Sequence, residues 1–148
     1  MDTNFITAMA GVLGSLVGGS ATVATAWITQ KTLTRRELNT RDMRQREKLY
    51  GEFLGECAKL LIDAFTHTLD DPEKLLPLYA LTNRVRLTAS QPVLAEAEHL
   101  LARITDQYFS RNLTVEEMRQ LAHAANGDPL KAFGEACRAE LKSIRASL

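Results

Sequence analysis

The sequence predicts an all-α protein: one N-terminal transmembrane helix continuing into a helical stalk, then a bundle of four to five helices. Three observations carry this expectation. Phe5 to Ile28 run for 24 positions without a charged side chain, and about 20 residues at about 1.5 Å each span a bilayer core. Beyond this run, apolar residues recur every three to four positions between helix-capping signals. No segment alternates apolar and polar residues between turn signals as a strand would.

The first element, residues 1–30, is rich in small residues. Gly11, Gly14 and Gly18 follow i, i+3/i+4, i+7 spacing, with Ser15 and Gly19 flanking them. Helical geometry gathers these on one face. Met9, Leu13, Leu16, Val23 and Trp27 make a bulkier stripe opposite, suited to lipid. Lipid supplies little hydrophobic drive between helices, so close backbone approach over small residues favours association. The expected self-association site is therefore Gly11, Gly14, Ser15, Gly18 and Gly19. A cleaved secretory signal fits less well, because the residues before the run are acidic and the run is too long.

Residues 31–48 form the second element, a basic helical stalk. Seven basic residues face three acidic ones there, a local +4, while residues 49–148 carry −3 within a chain of zero net charge. Only Asp2 is charged ahead of the span. Positive charge on one flank places the N-terminus outside and the remainder in the cytoplasm. Leu33, Leu38 and Met43 lie five apart, matching no helical face, so the stalk reads as solvated and supported by Glu37–Arg41 and Asp42–Arg46 pairs. Its arginines can also meet anionic headgroups, making membrane lipid an expected partner.

The third element, residues 49–148, is the bundle. Tyr50, Phe53, Leu54, Cys57, Leu60, Leu61, Ala64 and Phe65 line the apolar face of a helix expected from Leu49 to Leu69. Asp71 and Pro72 signal a restart, and Pro77 must kink the next helix or mark its true start. That helix runs to about Thr88 with Leu75, Leu78, Tyr79, Thr82 and Val85 inward. Gln91 and Pro92 open a helix to about Phe109, with Val93, Ala97, Leu100, Leu101, Ile104 and Tyr108 on one face. Thr114 and Glu117 frame a capping box for a short helix ending near Asn126 and Gly127. Asp128 and Pro129 start the last, with Leu130, Phe133, Cys137, Leu141 and Ile144 buried.

Chemistry is sparse in this pattern. Asp63, His67 and Asp71 are four residues apart and share a helical face, but metal sites in bundles draw ligands from several helices. His99 follows Glu98 without a nucleophile, and His123 sits among alanines. Cys57 and Cys137 lie at helical, partly apolar positions and have no histidine at close spacing. They read as reduced core residues. The glycines form no phosphate loop, and the slightly acidic bundle argues against nucleic acid. The Asn112–Thr114 sequon would need a glycosylating lumen, which the topology contradicts. The sequence therefore implies no catalytic, cofactor-binding or metal residues.

A Gly-rich span, an Arg-rich stalk and an amphipathic bundle together resemble uncharacterised bacterial single-pass inner-membrane proteins with a cytoplasmic helical domain. The resemblance covers the whole architecture and implies an inner-membrane location, but no site residues. The expected role is a membrane-anchored, self-associating helical scaffold or interaction module without enzymatic activity. The alternative is a homo-oligomeric pore component, lined by the span's hydroxyls, including Thr22 and Thr25. An ion path usually shows an intramembrane ionisable residue, and this run has none.

Overall fold

The computed structural model describes residues 3–124 and 127–147, with side chains described from Thr29 onward except at positions 32 and 36. Every regular element among the described residues is helical. The order is α1 (Thr3–Thr66), a single 3-10 turn (Pro72–Leu75), α2 (Leu76–Thr88), α3 (Gln91–Tyr108), α4 (Val115–His123) and α5 (Lys131–Ala146).

Two compact units divide within α1, Met1–Arg41 and Asp42–Leu148. The first is a lone stretch of helix. The helix runs from Thr3 through residues 31–48 without a break. Leu33 and Leu38 are 54% and 53% exposed, as a solvated stalk requires. Among the described residues no helix is long and apolar enough to cross a membrane. The run from Phe5 to Ile28 expected to do so has its side chains outside the described residues, as do Gly11, Gly14, Ser15, Gly18 and Gly19.

The second unit is the bundle. In α1, Leu49, Tyr50, Phe53, Cys57, Leu60, Leu61, Ala64 and Phe65 are buried, at the three-and-four spacing that makes one apolar face. α3 packs against α2 and α5, contributing Val93, Ala97, Leu100, Ile104 and Tyr108. Phe133 of α5 meets Phe53 with ring centroids 4.6 Å apart, and Tyr50 edge-on at 6.0 Å. Fully burying a side chain of this size contributes about 1.5–3 kcal/mol, so the aromatic trio is a principal tie between α1 and α5.

Helix ends follow the caps with instructive departures. α1 stops at Thr66 rather than Leu69, because the chain before α4 reaches back to its last turn. The Leu113 N–H donates to Phe65 O at 2.8 Å and Asn112 Nδ2 to Thr66 O at 3.0 Å, satisfying carbonyls that a helix end leaves orphaned. Asp71 caps the 3-10 turn through the Glu73 N–H. Pro77 then sits in the first turn of α2, so it marks the true start and not a kink.

Tyr79 is 57% exposed and not part of the α2 face. The face is Leu78, Thr82 and Val85. Each residue turns an α-helix by about 100°, so Tyr79 falls beside this stripe, while Leu75 of the 3-10 turn packs partly against the core. The Thr114 capping box forms with both of its hydrogen bonds. α4 ends at His123, and the chain returns so tightly that a Cβ at Gly127 would lie 1.6 Å from Leu121 O. Asp128 accepts from the Leu130 N–H at 2.9 Å, so it caps a turn before α5 and the helix begins at Lys131. Leu130, Leu141 and Ile144 are half-buried, while Phe133 and Cys137 are buried.

Candidate functional site

Three polar arrangements stand out, all within the bundle. The first surrounds Glu140 of α5, whose side chain is 8% exposed. Arg46 Nη1 lies 3.0 Å from its Oε1, the Tyr50 hydroxyl donates to its Oε2, and the Ser90 N–H donates to Oε1 at 2.7 Å. Donors therefore come from α1 and from the residue that precedes α3. Burial first, then the bond to Glu140, pushes the Tyr50 hydroxyl well above its ordinary range and keeps it a donor. Arg46 pairs with Glu140 instead of the Asp42 four residues before it, because a nearly buried carboxylate offers more than an exposed one.

The second surrounds Asp63, near the end of α1. Tyr108 donates to Asp63 Oδ2 at 2.6 Å, His67 Nδ1 lies 3.2 Å from Oδ1, and Lys74 Nζ lies 3.9 Å away. Lys74 is held more closely by Asp70, at 2.6 Å. An open groove of about 560 Å³ adjoins these groups, floored by Leu60, Ile62 and Pro77. The spacing that aligned Asp63 with His67 is thus realised, but Asp71 is drawn away to cap the 3-10 turn. One lysine, Lys74, faces both Asp63 and Asp70, and the arrangement is a surface network. His99 approaches Glu96 at 3.8 Å on an exposed surface.

The third is a groove of about 420 Å³ lined by Arg46 and Arg84, with Leu49 and Leu87 alongside. Arg84 Nη1 contacts Glu52 Oε2 at 2.8 Å. Arg46 is held by Glu140, so both guanidiniums are fixed by a carboxylate.

Cys57 and Cys137 are free and buried. Burial, aided by Glu56 and Glu140 respectively, pushes both thiols up to about 12. A thiol so far from ionising is a poor nucleophile, and both act as core residues. Among the described residues no group of three or more His, Cys, Asp or Glu is placed to hold a metal ion.

The Glu140 and Arg46–Arg84 arrangements escaped sequence reasoning because their partners lie far apart in the chain. One signal was present: Glu140 falls seven residues after Phe133 and three after Cys137, a charge on an apolar stripe that must find partners when buried. The glycine face named from sequence, Gly11 to Gly19, lies outside the described side chains. Comparison with protein-family models, with curated proteins and with solved structures found no match for this chain.

Proposed function

We propose that the chain is a membrane-anchored, self-associating helical scaffold or interaction module without enzymatic activity. Its N-terminus lies outside and residues 42–148 form a bundle in the cytoplasm. The observation that carries this reading is the uncharged run from Phe5 to Ile28, whose backbone belongs to a helix that continues past it without interruption. A polar environment gives such a run no reason to persist, whereas a bilayer core demands it.

Two further observations support the reading. The adjoining +4 block orients the span. In the bundle, the cysteine and tyrosine groups that chemistry would recruit are held in their neutral forms by burial. Self-association runs through Gly11, Gly14, Ser15, Gly18 and Gly19, with membrane lipid around the opposite stripe.

The test is the mass of the full-length protein in mild detergent, alone and with Gly14→Leu and Gly18→Leu together. A defined oligomer that falls towards monomer on substitution is the expected result, since two leucines forbid close approach. An oligomer of unchanged mass would remove the glycine face from the reading. Release of the protein from membranes by alkaline extraction would remove the anchor.

A further inference from the structure

We propose that the groove shared by Arg46 of α1 and Arg84 of α2 binds a phosphate monoester that carries an apolar group. Two arginines from different helices line one groove of about 420 Å³, a size typical of small-ligand sites. Each is held in place by a carboxylate: Arg46 by Glu140 at 3.0 Å and Arg84 by Glu52 at 2.8 Å. These bonds engage one nitrogen of each group, while a guanidinium carries five N–H donors. Both arginines are therefore positioned and still have donors to offer, the condition in which arginine recognises phosphate oxygens.

Glu140 is also satisfied by the Tyr50 hydroxyl and the Ser90 N–H, and Glu52 also faces Lys48 at 4.0 Å. Neither carboxylate is therefore devoted to its arginine alone. Among the described residues, Asp42 is the single carboxylate on the groove wall, and the amide of Gln45 adds another donor. Leu87, 83% exposed, and Leu49 give the same groove an apolar wall, which inorganic phosphate would leave unused. The proposal does not depend on the membrane reading, because every residue in it belongs to the bundle.

The test uses the full-length chain in a zwitterionic detergent at constant ionic strength. Thermal unfolding is followed while inorganic phosphate or butyl phosphate is titrated. A saturable rise in Tm is expected, with butyl phosphate saturating at the lower concentration. Arg84 is on the surface, so Arg84→Gln should fold normally and weaken the response about tenfold, the usual loss for one charge-assisted hydrogen bond. Arg86→Gln, which removes a pair with Glu98 outside the groove, should leave it unchanged. Asp42→Asn should tighten binding, and Leu87→Gln should abolish the preference for the butyl ester.

Dihexanoyl phosphatidic acid saturating before butyl phosphate would assign the anion to a lipid headgroup. The reverse order would assign it to a soluble ester. A response that tracks ionic strength without saturating, or that persists in Arg84→Gln, would overturn the proposal. Neither result would alter the oligomer mass on which the scaffold reading depends.

Discussion

At Glu140 one carboxylate collects Arg46, the Tyr50 hydroxyl and the Ser90 N–H, so a single side chain connects α5 to α1 and to the start of α3. Removing it does more than delete contacts. A guanidinium, a phenol and a backbone N–H lose their acceptor together, two of them in a largely dry setting, and unsatisfied buried groups are expensive. Glu140→Ala is expected to destabilise the bundle by about 2–4 kcal/mol in urea unfolding. Glu140→Gln keeps an acceptor oxygen and should lose less. A loss below about 1 kcal/mol for the alanine variant would show that water replaces the carboxylate. The same residue marks a limit of sequence reading. Its place on the stripe with Phe133 and Cys137 was visible, but not the partners, which lie 50 or more positions away in the chain.

Among the helices, α4 depends most on its caps. It is nine residues long and buries no side chain fully, so local bonds at its N-terminus count for more than they do in α3. Glu117 completes the capping box and also meets Arg111 at 2.5 Å. The Arg111 guanidinium first, then the Thr114 N–H, lowers its carboxyl from an ordinary 4.5 to about 2. A carboxyl depressed on folding stabilises above its unfolded pKa and ceases to do so as pH falls through the folded one. The protection of α4 amides, measured by hydrogen exchange relative to the intrinsic rate at each pH, should therefore be constant above about pH 5 and fall as pH drops from about 4.5 towards 2. Glu117→Gln should flatten that profile, and a wild-type profile already flat would sink the argument. This capping box was legible in Thr114 and Glu117 alone, because both of its bonds are local. So were most inward residues of α1 and α3, where one period governs the helix, and Phe133 and Cys137 of α5, whereas Leu130, Leu141 and Ile144 are only half-buried. Tyr79 departs from its expected place because it follows Leu78 by one residue, about 100° around the same regular helix, and so falls beside the stripe of Leu78, Thr82 and Val85.

Over the whole molecule, the two compact units divide inside α1, between Arg41 and Asp42, although no break in the helix announces it. Composition suggests a different line: charge density drops at Leu49, where the apolar face begins. Arg46 decides between these criteria for the bundle's own stability. It belongs to the basic stretch by sequence, yet its guanidinium is spent on Glu140, and Glu47 beside it lies 3.8 Å from Arg145 of α5. A chain of residues 42–148 therefore contains every partner of Glu140, while one of residues 49–148 leaves that carboxylate with Tyr50 and Ser90 but no cation. The longer fragment is expected to unfold cooperatively as an independent bundle. The shorter one should be less stable by about 1–3 kcal/mol, the penalty for a buried charged group losing a partner. Circular dichroism in urea would measure the difference, and equal midpoints would mean that solvent compensates Glu140 as well as Arg46 does. The longer fragment also separates anchoring from assembly. If association resides in the glycine face, residues 42–148 must be monomeric at concentrations where the full chain is not, and an oligomer of the fragment would move the interface onto the bundle surface.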